Sequence, residues 1–287
     1  MLRKIKVLIF SAAISAMTLF SANEAHSQKL LIPMDLSQTD HLKAYGLTYW
    51  VLDQQKEADW LLNYRGGSFM MDYSDDIAAE CRIRGIYFEQ VSGAQASAIY
   101  SKVESDDENM NAVRLETAPK IAVYQPPGAQ PWDDAVRLAL EYAEVQHDII
   151  WDEEVLNGKL NDYDWIHLHH EDFTGQYGKF YGPYHNQPWY IQQVQLNESM
   201  ARKLGFSKVS ELKLAVAQEI RKYVSEGGFL FAMCSATDSY DIALAAADVD
   251  IAASVYDGDP YSSNANEMLD YENTFAFEDF KVFLDPY

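Results

Sequence analysis

Cysteine is nearly absent from the 287-residue chain, which contains only Cys81 and Cys234. A disulfide-dense secreted scaffold is therefore excluded, while a single bridge between the two stays open beside a pair of free thiols. Basic residues are scarce as well, 22 Lys and Arg against 44 Asp and Glu, for a formal charge of −22. No nucleic-acid partner is expected, because phosphate binding needs a basic surface. Acidity of this size serves solubility and self-repulsion. Beyond the first 27 residues no apolar run reaches the roughly 18 residues that a membrane span needs. No internal repeat is evident. Apolar mass is plentiful: 48% of residues are hydrophobic and 19 are Tyr, enough to build one large domain or two modest ones.

Residues 1–27 read as a signal peptide. Arg3, Lys4 and Lys6 form a basic n-region, Val7 to Phe20 an apolar h-region, and Ala25-His26-Ser27 a small-residue cleavage site. The expectation is an exported protein, periplasmic or extracellular, that begins near Gln28 and has no stable membrane span. Cleavage removes three basic residues and one acidic residue, leaving 19 against 43 and a charge of −24.

Two segments follow. The first, 28–117, is expected to be a smaller α/β segment. It holds a helix after Asp40, a strand over Asp59 to Tyr64, a turn at Arg65-Gly66-Gly67-Ser68 and a helix over Asp75 to Arg84. A short strand over Ile86 to Val91 and a helix from Ala94 to Glu104 come next, and Ser105 to Asn111 reads as a polar linker. The second segment, 118–287, alternates strands and helices. Strands are expected near Lys120 to Tyr124, His147 to Trp151, Asp164 to Leu168 and Phe229 to Met233. Helices are expected with Asp133 and Asp134 in the first turn, running to about Val145, and over Ser210 to Ser225. This spacing predicts a parallel sheet flanked by helices, with ligands beyond the carboxyl ends of its strands. The stretch after Asp248 is acidic and irregular.

Three constellations carry chemistry. In Glu226 to Ala247 a Gly-Gly pair, an apolar run and Cys234 precede a helix that Ser235, Thr237 or Asp238 can cap. Such a strand–thiol–helix turn exposes the sulfur as a nucleophile, with the Ser235 N–H as oxyanion donor and His169 or His170 as base. The same pattern also suits a buried core cysteine. In the strand Trp165 to Asp172, alternation puts His167, His169 and Glu171 on one face, a set able to bind zinc, with His185 as a further ligand. Hydrogen-bonded structural histidines fit equally, and no other cofactor is expected. The aromatic loop Phe173 to Trp189 offers Tyr177, Tyr181, Tyr184 and Trp189, with Glu171, to a small-molecule, glycan or peptide ligand, or packs onto the sheet. Asp248, Asp250, Asp257 and Asp259 lack the spacing of a calcium loop and read as a solvated acidic segment.

Lys120-Ile-Ala-Val-Tyr-Gln-Pro-Pro-Gly128, the strand Tyr163 to Phe173 and the helix–Gly-Gly–strand–Cys234–helix unit resemble the class I glutamine amidotransferase-like superfamily. That resemblance implies a flavodoxin-type fold and Cys-dependent hydrolysis or transfer at C–N bonds, with Cys234 as nucleophile. Small residues, Ala232 and Ala236, flank the cysteine at the positions where that family often has Gly. The family's His and Glu follow its nucleophile, whereas no histidine follows His185 here. The alternative is a non-catalytic binding module with a degenerate triad. His41 to Asp53 and Asp59 to Phe69 also resemble exported bacterial proteins labelled asparagine synthetase B. Neither the N-terminal cysteine nor the Ser-Gly-Gly-x-Asp-Ser loop of true synthetases is present. A sheet of this type ordinarily continues past the elbow helix, so the chain is expected to be a fragment of a longer protein.

Overall fold

The structure is a computed structural model that describes residues 28–129 and 133–287. The expected signal peptide, 1–27, lies outside them. The described residues fall into two compact units that divide between Ala118 and Pro119.

The first unit is a five-stranded sheet in the order β4-β1-β3-β2-β5, every pairing antiparallel. Its strands are β1 (Lys29–Ile32), β2 (Ala58–Leu62), β3 (Ser68–Asp72), β4 (Glu89–Val91) and β5 (Asn111–Leu115). Its helices are α1 (His41–Asp53), α2 (Asp75–Arg84) and α3 (Gly93–Val103). Period-two alternation sorts the strands between two cores. Leu30, Ile32, Phe69 and Met71 meet Leu47 and Val51 of α1 and Ile77 and Cys81 of α2. Leu31, Leu61 and Met70 face Ala96 and Val103 of α3. Side-chain caps start two of the helices: Asp40 accepts from the Lys43 amide, and Ser92 and Gln95 form a capping box. The strand expected to reach Tyr64 stops at Leu62, and the one expected from Ile86 begins at Glu89. The polar run Ser105–Asn111 leads directly into β5, an edge strand that its short, mixed sequence conceals.

The second unit is a four-stranded parallel sheet in the order β7-β6-β8-β9. In chain order it comprises β6 (Ile121–Tyr124), α4 (Ala135–Ala143), β7 (Asp148–Ile150), α5 (Asp152–Leu156), β8 (Trp165–Leu168), α6 (Pro188–Leu204), α7 (Val209–Ser225), β9 (Phe229–Ala232) and α8 (Ser235–Ala245). Strand order reverses between β6 and β8, which makes the crevice beyond their carboxyl ends the topological switch point. On one face Tyr124, Ile166 and Leu168 pack under Leu212, Val216 and Ile220 of α7 and Tyr240 and Leu244 of α8. On the other, Ile121 and Val123 meet Leu140 of α4. Helix α6 was not anticipated, because only Tyr190, Asn197 and Ala201 of its 17 residues are buried and the apolar stripe is thin.

Past α8 the chain to Tyr287 adds no strand among the described residues. It is pinned through buried Asp241, whose carboxylate accepts the amides of Phe275, Ala276 and Phe277. Asp250, Asp257 and Asp259 converge on the Lys208 ammonium at 2.7, 3.1 and 2.7 Å, so a lysine supplies the positive charge there. No helix among the described residues is long and apolar enough to cross a membrane.

Entry into β9 depends on the glycine pair. Gly227 has φ +106°, and a Cβ on Gly228 would overlap the ring of buried Tyr223. Gly228→Ala is expected to destabilise the protein by about 1–3 kcal/mol through this overpacking, measured by urea unfolding. An unchanged midpoint would show that Tyr223 yields without cost.

Candidate functional site

Two hydrogen bonds fasten the carboxyl end of β8 to the start of α8. The Met233 amide donates to the Leu168 carbonyl at 2.9 Å, and the Ala236 amide to the His169 carbonyl at 3.0 Å. Between them the chain turns sharply at Cys234, which has φ +52° and ψ −135°, a strained conformation for a residue with a side chain. Cys234 is itself the N-terminal cap of α8, with an exposed sulfur. The side chains expected to cap α8 act elsewhere. Ser235 Oγ donates to the His170 carbonyl, Thr237 Oγ1 to the Cys234 carbonyl, and Asp238 accepts from the Ser239 amide. Both cysteines are free thiols, and Cys81 is buried.

His169 and His170 follow β8 directly, and their rings stack with centroids 3.6 Å apart. One ring nitrogen of each lies within 4.8 Å of Cys234 Sγ and of the other. His169 also faces Asp134: Nδ1 lies 3.2 Å from Oδ1. His167, fully buried, reaches the same carboxylate with Nε2 3.3 Å from Oδ2. Both contacts are longer than the usual N–H to oxygen hydrogen bond.

Asp134 was expected only as a first-turn residue. It is instead the N-cap of α4, with Oδ1 accepting the amides of Val136 and Arg137 at 2.8 and 3.0 Å, and it is completely buried. Burial opposes its charge, yet His167, the Arg137 amide and His169 together hold the carboxyl well below the usual range. For His169, burial outweighs the attraction of Asp134 and lowers its pKa, with His170 and His167 adding to the effect, which favours the neutral, basic ring.

Glu171 does not join the histidines. Strand β8 ends at Leu168, so alternation fails beyond it, and the carboxylate turns back to accept the His169 amide at 3.0 Å. Burial pushes its pKa up against that hydrogen bond. Asp134 occupies the position expected of Glu171 between His167 and His169. His185 is elsewhere, stacked on Tyr181. The aromatic loop folds into one-turn helical segments whose rings pack on one another. Tyr177 is core, whereas Tyr184 and Trp189 are exposed. Among the described residues no ring contact joins Tyr177, Tyr181, Tyr184 or Trp189 to His169 or His170.

Beneath the switch point lies a buried ion pair. Lys213 Nζ contacts Asp152 Oδ1 and Oδ2 at 2.8 and 2.9 Å and the Tyr124 hydroxyl at 3.0 Å, and Tyr124 also donates to Asp152. Burial and the Asp152 charge drive the Tyr124 phenol far above its normal pKa. No periodicity announces this trio, because a lysine on an amphipathic helix ordinarily reads as solvent-facing.

Comparison with protein-family models, with curated proteins and with solved structures found no match.

Removing Lys213 alone would strand a buried carboxylate. Lys213→Ala should cost about 3–5 kcal/mol in urea unfolding, and Lys213→Met with Asp152→Leu should recover most of it. Additive losses in that pair of measurements would contradict an ion pair.

Proposed function

We propose that the chain is an exported Cys-dependent hydrolase or amidotransferase acting on C–N bonds, similar to the class I glutamine amidotransferase-like superfamily. The observation that carries this reading is Cys234, held at a strained strand-to-helix turn within 4.8 Å of ring nitrogens of two stacked histidines, one of them backed by Asp134. Sharp turns of this kind present a nucleophile above a sheet. His169 takes the thiol proton on Nε2, the nitrogen turned away from Asp134, while Asp134 orients the ring and stabilises the imidazolium. The thiolate then adds to an amide carbonyl, whose oxyanion meets the Ser235 N–H. Collapse forms a thioester and expels the amine, which carries away the proton from His169. Water, deprotonated by the same ring, releases the acid and restores the thiol. Here the histidine precedes the nucleophile in the chain, unlike in the family it resembles, so the triad is a variant in order rather than a copy.

A second reading, a binding module for a small molecule, glycan or peptide, is favoured by the exposed rings of Phe180, Tyr184 and Trp189.

Iodoacetamide labelling separates the two. In native protein at pH 7 only Cys234 should react, because burial pushes the Cys81 thiol up to about 12. Its rate should exceed that of the unfolded chain and fall about tenfold in His169→Ala as the base is lost. A Cys234 that labels no faster than an unfolded thiol, with or without His169, would leave the binding module standing.

A further inference from the structure

We propose that Asp134, His167 and His169 form a binding site for one divalent transition-metal ion, with zinc the best match to two imidazoles and a carboxylate. The key observation is a hydrogen bond. His167 Nδ1 lies 3.2 Å from the Phe231 carbonyl, which can only accept, so Nδ1 carries the proton. Nε2, an acceptor unless it too is protonated, faces Asp134 Oδ2 at 3.3 Å in a fully buried setting. Two acceptors in contact, away from water, repel unless a cation lies between them.

The distances agree. Hydrogen bonds from N–H to oxygen centre near about 2.9–3.0 Å, and the contacts to Asp134, Oδ2 from His167 and Oδ1 from His169, are longer at 3.3 and 3.2 Å. Atoms bound at about 2.0–2.1 Å to a tetrahedral ion stand roughly 3.3 Å apart, which the His167 contact to Oδ2 matches, while His169 approaches the other oxygen. Ligand atoms of all three residues lie within 4.8 Å of one another. Outer contacts brace the set as metal ligands are usually braced. The Phe231 carbonyl orients His167, and the amides of Val136 and Arg137 orient Asp134. Gln125 Nε2 approaches Asp134 Oδ2 at 3.4 Å. Three protein ligands leave a fourth position for water.

The site stands without the Cys234 chemistry but shares His169 with it. An ion there would withdraw the base and slow the thiol.

The test uses tag-free protein dialysed against zinc, followed by metal analysis and calorimetric zinc titration. One zinc per chain is expected, with a melting temperature that falls in chelator because only the folded state assembles the ligands. Asp134→Asn keeps a capping side chain and should bind at least about a hundredfold more weakly, while Cys234→Ser should bind as the parent does. If Asp134→Asn does not fold, His169→Ala makes the same comparison. Several results would overturn the proposal: no stoichiometric zinc and an unchanged melt in chelator, which would leave a proton on His167; unchanged affinity in Asp134→Asn; or binding lost in Cys234→Ser alone, which would put the ion on Cys234, His169 and His170. Iodoacetamide rates in zinc-free protein report on the thiol separately, so either reading can fail alone.

Discussion

A single buried carboxylate sets the geometry of the switch point. Asp134 begins α4 by accepting two of its first amides, so its position is fixed by the helix it starts. The same carboxylate faces His167 within β8 and His169 just past it, which ties the start of α4 to the carboxyl end of β8. A buried carboxylate without partners would neutralise itself, and the two helix amides donated to Asp134 oppose that. Capping, strand pairing and ring orientation are thus one constraint, and displacing any of them leaves a charge stranded in the core.

Cys234 depends on that constraint at one remove. The amides of Met233 and Ala236 fix the elbow to the Leu168 and His169 carbonyls, so whatever places His169 also places the sulfur. Below, Lys213 faces Asp152 in a dry setting and exerts a downward pull on the pKa of Glu171 as well. Glu171 in turn holds the His169 amide and, through its carbonyl, the Ser239 hydroxyl on α8. The floor of the crevice is therefore charged but largely paired. Such a floor limits how far the histidines can move, since a shift would expose carboxylates to an apolar core.

Much of this was legible in the sequence, though unevenly. Strand β8 and the placement of His167 and His169 on one face follow from period two, and that logic stops where the strand stops, at Leu168. Glu171 was grouped with the histidines because nothing in Trp165 to Asp172 marks the end of β8. Asp134 was visible as an acidic residue at a helix start, but its partners lie some 30 residues later, and local capping chemistry does not reveal what a cap will be buried against. The α/β character and the parallel sheet of the second unit follow from alternating apolar runs. The antiparallel arrangement of the first unit, strand β5 and helix α6 do not, because short edge strands and thinly buried helices leave weak periodic signals.

The two proposed chemistries would compete for one ring, that of His169. As the base for a thiol, it needs a proton on Nδ1 to meet Asp134 and a free lone pair on Nε2. As a metal ligand toward Asp134, it needs the lone pair on Nδ1. His167 has no such freedom, since the Phe231 carbonyl fixes its tautomer. Whatever neutralises the contact between His167 and Asp134 therefore sets the field in which His169 chooses. A proton there leaves one oxygen of Asp134 free to orient His169 as a base. A metal ion there draws both rings into its own coordination and makes the crevice a binding site whose thiol has lost its partner. On the two proposals, the enzyme and the binding protein would differ by one cation in a space a few ångströms wide, since the sheet, the elbow and the cap would be the same in both.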